Sequence, residues 1–314
     1  MRPVSIIVVF QLLLISLLVF CSHYVLFLCR RKFRAKIQHR DGSSTMGWGT
    51  FLSNYEQSIE FLLQPERAAL PPALLCLVAL LWVFSSILMI SIFLCDHLDQ
   101  VLRGGDVLFS LSMCVVALLC EELISRASSL HSEKSFSRER FLSGVLGFTG
   151  ILLAVLTLIL SAGKAQFSDI VYHVNRGFGF GIIRSPGIFL AAVVFWISIY
   201  FFSKEKAFVG TARYGIDGAI GFLVDLCSSL WTVSLLVMWT FLFLGGIDSI
   251  VGLLIFPVKL FFVLVVYEFL AQALPMFKVT DSPFLFISRV LWLGYLAVIF
   301  EVLWQVGLKS WGLA

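Results

Sequence analysis

Charge is scarce in this sequence: 13% of its 314 residues are Asp, Glu, Lys or Arg, against roughly a quarter in an ordinary soluble domain. With 60% of residues hydrophobic, too little polar material remains to cover a water-facing surface. The seven cysteines form no C-x-x-C pair, which argues against a metal site or a disulfide framework. Cys21, Cys29, Cys76, Cys95, Cys114, Cys120 and Cys227 fall inside or at the ends of apolar stretches, where packing is their expected role. No nucleotide-binding glycine loop, no metal-ligand cluster and no nucleophile beside a base is found. Gly177-Phe178-Gly179-Phe180-Gly181 is glycine-rich but follows no strand, so it reads as a flexible connection. The chain has no means of holding an electron carrier and is not expected to be a redox enzyme alone. Internal repeats, low-complexity tracts and long linkers are also lacking, so residues 1–314 read as a single polytopic membrane domain.

The apolar residues come in blocks. Leu70 to Leu94 carries no charge, and Phe222 to Phe243 carries only Asp225. Such blocks reach the ~20 residues that a helix needs to cross hydrocarbon. They give spans near 4–29, 70–95, 106–124, 141–163, 186–203, 220–245, 249–273 and 284–308, an all-α membrane protein of about eight transmembrane helices. Membrane strands are excluded because the blocks are continuously apolar, without period-two alternation. The first block is too long for a cleaved signal peptide, and Arg30 to Lys36 follows it as a stop-transfer cluster. Between the first two spans, Phe51, Leu52, Tyr55, Ile59 and Leu62 recur at helical spacing among polar residues, which predicts an amphipathic surface helix over 50–63.

Lys and Arg fall unevenly between the two sets of loops. Fifteen lie after the odd-numbered spans: Arg30, Arg31, Lys32, Arg34, Lys36, Arg40, Arg67, Arg126, Lys134, Arg138, Arg140, Lys204, Lys206, Arg213 and Lys278. Six lie on the opposite side: Arg2, Arg103, Lys164, Arg176, Arg184 and Lys309. Cytoplasmic loops retain positive charge, so both termini are expected outside the cytoplasm, as in a multi-pass protein of a bacterial inner membrane. The net charge of +4 belongs to these loops and does not point to nucleic acid.

Arg31-Lys32, then Ile37-Gln38-His39-Arg40-Asp41-Gly42 and the surface helix, resemble the subunit 1 family of respiratory complex I and the equivalent membrane subunit of energy-converting nickel–iron hydrogenases. That family ends its first span in Glu-Arg-Lys and continues with Gln-x-Arg-x-Gly-Pro; here Arg30 replaces the glutamate and Ser43 the proline. Gly105-Asp106-Val107-Leu108 looks like the start of the third span in the formate hydrogenlyase branch. Ser137-Arg138-Glu139 resembles the family's loop arginine, and Ser168-Asp169-Ile170-Val171 its Leu-Ser-Asp-Ile-Val stretch. Tyr214 to Asp225, Lys259 and Val279-Thr280-Asp281 follow in the family's order. The largest departure lies between spans five and six, where an acidic stretch that helps form the family's quinone cavity is replaced by Lys204 to Arg213, with Glu205 the one acid left.

The resemblance implies a membrane subunit of an NADH-quinone oxidoreductase-like or hydrogenase-like complex, non-catalytic alone, that anchors a soluble iron–sulfur arm and takes part in proton or ion coupling. Docking would fall to Arg31, Lys32, Arg34, Gln38, Arg40, Gly42 and Arg138, although anionic lipid is an equally good partner for the arginines. Coupling would fall to Lys259, Asp225, Glu268, Glu205 and Asp217. Placing a charge at mid-bilayer costs about 3 kcal/mol, so intramembrane ionisable groups usually face protein and often serve function. Glu268 and Glu301 lie near span ends, where snorkelling to water is the bland alternative. Glu121 and Glu122 lie beside Arg126 and are expected to form an interfacial salt-bridged cap. No cofactor is expected on this chain itself, and the lost acidic loop argues against quinone. Two further readings fit the same residues: a component of a cation/proton antiporter assembly without a redox arm, which the basic loop favours, and a structural membrane scaffold.

Overall fold

The computed structural model describes Cys21 and residues 71–94, 106–126, 131–175, 182, 184–202, 218–245, 250–273 and 289–310. Its elements are α1 (Pro72–Leu94), α2 (Asp106–Arg126), α3 (His131–Ala162), α4 (Phe167–Asn175), α5 (Pro186–Phe202), α6 (Gly218–Leu244), α7 (Ile250–Ala273) and α8 (Leu291–Ser310). Among the described residues there is no strand. The span expected over 4–29, Cys21 apart, and the surface helix expected over 50–63 lie outside the described residues.

Four stretches are long and apolar enough to cross a membrane: Pro72–Ile90, Val107–Ile124, Phe141–Ala162 and Leu226–Leu244. Pro186–Phe201 and Leu291–Gly307 are shorter apolar helices. The outward faces make the same point. On α1, Leu75, Val78, Ala79, Trp82 and Met89 are buried, while Leu74, Leu77, Leu80, Leu81 and Phe84 on the other side are about half exposed. A helix whose outside is as apolar as its inside has lipid as its solvent.

The helices form a ring in which α1 packs on α2, α2 on α3, α3 on α5, α5 on α6 and α6 back on α1. Helix α8 packs on α3 and α5, α7 on α6, and the short α4 on α3 and α6. Helix α6 is the hub. Every residue from Leu230 to Thr240 is buried, about three turns enclosed on all sides, as expected of a helix apolar all round. Its hydroxyl side chains fold back onto their own helix: Thr232 donates to the Ser228 carbonyl at 3.1 Å and Thr240 to the Leu236 carbonyl at 2.7 Å. They therefore bring no unmet polar atom into the core. Three other side-chain donors of α6 tie neighbouring helices to it. Cys227 Sγ reaches the Ala79 carbonyl of α1 at 3.2 Å, Ser234 Oγ shares its proton between the Leu230 carbonyl of its own helix at 2.8 Å and the Ser86 carbonyl of α1 at 3.1 Å, and Trp239 Nε1 reaches the Ala192 carbonyl of α5 at 3.0 Å.

Two elements differ from the sequence expectation. The helix of the span placed at 141–163 begins ten residues earlier, at His131, so Ser137-Arg138-Glu139 lies on a helix rather than in a loop. The charged residues from Glu133 to Arg140 carry no apolar block, but nothing in them breaks a helix that packing starts further on. The second is α4, an amphipathic helix of nine residues that buries Phe167, Ile170 and Val171 and exposes Tyr172. It follows a left-handed Gly163 (φ 69°), whose N–H bonds the Ile159 carbonyl at 2.8 Å and ends α3.

Trp239→Ala should therefore destabilise the protein in detergent by about 3–5 kcal/mol, since it empties a large buried volume at the hub. Ser234→Ala removes one interhelical bond worth about 0.6 kcal/mol within a bilayer. Thermal unfolding of the two variants should rank them in that order.

Candidate functional site

Ionisable side chains buried among apolar helices are the chemistry this fold offers, and the described ones lie at two helix ends and on one helix face. The first end is the start of α5. Ser185-Pro186 sets an N-cap followed by a proline at the first helical position, where its missing N–H costs nothing. Ile188 N donates to Ser185 Oγ at 3.1 Å. The Ser185 hydroxyl in turn donates to Glu301 Oε2 on α8, and Gln305 Nε2, one turn along α8, donates to Glu301 Oε1 at 3.1 Å. Glu301 is fully buried. Both its oxygens accept a hydrogen bond, and it lies at the positive end of a helix dipole.

The approach of α8 to α5 is close because a glycine allows it. A Cβ on Gly187 would lie 2.7 Å from Glu301 Cβ and 2.8 Å from the Glu301 backbone nitrogen. Seven residues before Glu301 on α8, a Cβ on Gly294 would lie 2.9 Å from Leu153 Cδ1 of α3 and 3.6 Å from Val194 Cγ1 of α5. Positions 187 and 194 thus pair with 301 and 294, so α5 and α8 run antiparallel. Glu301 sits about 10 Å along α8 from the crossing of the three helices, toward the end where α3 finishes.

The second end is the close of α6. Lys259, half-buried on α7, donates from Nζ to the Leu244 carbonyl at 2.6 Å. Leu244 is the last residue of α6 and precedes a left-handed Gly245 (φ 92°). An ammonium group there satisfies a carbonyl that the helix leaves open and meets the negative end of its dipole. Pro257, two residues before Lys259, lies inside α7 and removes one backbone donor from that helix.

Glu268, also on α7, is fully buried, next to the buried Tyr267. Tyr267 meets Trp196 of α5 at 6.0 Å between ring centroids, and Trp196 meets Trp239 of α6 at 4.7 Å. Glu268 therefore belongs to the helix that an aromatic cluster holds against α5 and α6. Nine residues separate it from Lys259, about 13 Å along the helix and half a turn around it. The two side chains flank the buried stripe of α7 from opposite sides.

Snorkelling is the alternative that the sequence leaves open for Glu268 and Glu301; both are instead enclosed by protein. Glu122 and Arg126 form the expected cap, with Nε to Oε1 at 2.6 Å. Of the cysteines expected to pack, Cys114, Cys120 and Cys227 are buried, whereas Cys21 and Cys76 are exposed. Asp225 and Arg138 lie on α6 and α3, with side chains outside the described residues. Arg31, Lys32, Arg34, Gln38, Arg40, Gly42, Glu205 and Asp217 also lie outside them. Reading along the chain does not single out Ser185, Gly187 or Gln305. Ser185-Pro186 carries a readable cap signal, but nothing in the sequence joins position 185 to one 116 residues away.

These features define an integral membrane protein, all-helical among the described residues, with buried carboxyl groups between its helices. The chain matches no protein-family model and no curated protein.

Gly187→Ala should cost about 1–3 kcal/mol, as overpacking against backbone does, whereas Gly307→Ala, where a Cβ would meet no atom within 4 Å, should be silent. Thermal unfolding in the same detergent compares them directly.

Proposed function

We propose that this chain is the eight-span membrane subunit of a complex I-like or hydrogenase-like oxidoreductase in a bacterial inner membrane, with both termini outside the cytoplasm. In this reading the basic first loop and Arg138 seat a soluble iron–sulfur arm. Lys259, Asp225 and Glu268, with Glu205 and Asp217 from the adjoining segment, take part in moving protons or ions. What supports the reading is the order of short motif matches along nearly the whole sequence. The observation that carries it is Glu268, a carboxyl wholly enclosed by apolar helices, since a buried intramembrane acid is costly and most often functional.

A second reading, an antiporter-type assembly without a redox arm, is favoured by the change of the Lys204 to Arg213 segment from acidic to basic. Gentle detergent extraction with identification of the co-purifying subunits separates the two. Iron–sulfur and hydrogenase-like partners are the expected outcome for the first, and antiporter-type subunits alone for the second. Recovery of a lone chain would sink both and leave a membrane scaffold.

Ion flux in vesicles tests the residues. Glu268→Gln should lower coupled flux by at least about tenfold, the order of effect of removing a positioned proton carrier. Lys259→Ala should lower flux while Lys259→Arg retains part of it. Flux unchanged in Glu268→Gln and Lys259→Ala would remove both residues from the path.

A further inference from the structure

Glu301 is not among the residues assigned above to the path, yet its surroundings differ from those of Glu122 and Asp169, which pair with cations. The carboxyl of Glu122 is fixed by a cation, Arg126. Glu301 is held by two groups that can each reverse their role. Ser185 Oγ has one proton and two lone pairs. One lone pair takes the Ile188 N–H. With Glu301 charged, the hydroxyl proton goes to Oε2, the carboxyl oxygen that Ser185 Oγ meets. With Glu301 protonated, the remaining lone pair can accept the carboxyl O–H instead, and the cap on α5 stays intact. The Gln305 amide offers an N–H at 3.1 Å and, turned over, a carbonyl oxygen.

A carboxyl between two such partners can gain and lose a proton without either helix giving up a backbone bond. We propose that Glu301, Ser185 and Gln305 form a proton-binding site at the end of the bundle where α3 finishes and α5 begins. It deepens the coupling reading of the preceding subsection and rests on it only for the direction in which protons pass.

The charged surroundings of the site are sparse. The helices packed on α8 are α3 and α5. Helix α3 carries no ionisable side chain from Phe141 to Ala162, its charges between His131 and Arg140 lying at the far end. Helix α5 carries only Tyr200, close to its own far end, and Arg184 directly precedes Ser185. On α8 itself the titratable neighbours are Tyr295, nearly two turns before Glu301, and Lys309, about two turns after it, with Arg289 just ahead of the helix. Beyond Arg184, the charges at the end where α3 finishes are Lys164, just past that helix, and Asp169 on α4, which pair with each other at 3.2 Å.

A lipid-soluble carbodiimide reports on such a site, because it reacts with the protonated carboxyl. The O–H proton moves to one carbodiimide nitrogen as the carboxyl oxygen bonds the central carbon. The acyl group then migrates from oxygen to nitrogen, giving a stable N-acylurea; nothing leaves and nothing is oxidised. The full-length protein in native membrane vesicles is treated with dicyclohexylcarbodiimide. Digestion should then yield a Glu301 peptide heavier by one whole reagent molecule. Glu301→Gln should abolish that adduct, and Ser185→Ala, which removes the hydrogen bond to the carboxyl, should change its yield several-fold. No adduct at Glu301, or a yield unmoved by Ser185→Ala, would overturn the site. Labelling needs no partner protein, so failure to recover a redox arm would overturn the proposed function and leave this result standing.

Discussion

Helix α6 runs through the described bundle with three turns closed off from any solvent, and the helices around it take their positions from that enclosure. Polar atoms on a helix so placed can find partners only within protein, because neither water nor lipid reaches it. Its threonines meet this demand by bonding their own helix. Cys227, Ser234 and Trp239 meet it by donating to carbonyls of α1 and α5. These last three contacts also fix the rotation of α1 and α5 about their axes, since a donor on one face can reach only one carbonyl of the neighbour. Lipid tails are as apolar as the side chains they touch, so burial of apolar surface supplies little drive for helix association in a bilayer. Shape and a few directed bonds must do it, and the glycines at 187 and 294 serve the first need as the α6 donors serve the second.

The helices themselves were largely legible in the sequence, because the property that places a helix in lipid, a block of some twenty apolar residues, is a local one. The blocks at 70–95, 106–124, 186–203, 220–245 and 249–273 correspond to α1, α2, α5, α6 and α7 within a few residues. The same signal is blind where a helix leaves the hydrocarbon, which is why α3 begins at His131 and not at residue 141. It is also blind to a helix too short to span, such as α4. The ionisable residues were legible as candidates, since a charge in an apolar block is conspicuous. Their partners were not. Glu301 meets Ser185 only because Gly187 lets α8 approach α5, and Lys259 meets Leu244 only because α6 ends beside α7. Such encounters belong to tertiary packing, which no spacing along the chain encodes.

Two of the buried charges share one electrostatic logic. Lys259 sits at the carboxyl end of α6, and Glu301 at the amino end of α5. Each meets a helix dipole of complementary sign and each fills a bonding position that the helix end leaves open. For these two, stability alone gives a sufficient reason for a charge within apolar surroundings. Any part they take in moving ions is therefore tied to how firmly the helices dock. A substitution that removes either side chain's hydrogen bonds alters the fold and the chemistry together, whereas one that keeps them separates the two.

Glu268 does not share that logic. It lies five residues before the end of α7, in the half of the helix that carries the negative end of the dipole, where a carboxyl gains nothing from the backbone. A glutamine would fit the same space at lower desolvation cost. The aromatic contacts of Tyr267, Trp196 and Trp239 hold α7 in place beside it. A buried intramembrane acid is costly and often functional, so the weight of the coupling proposal falls on Glu268 ahead of Lys259.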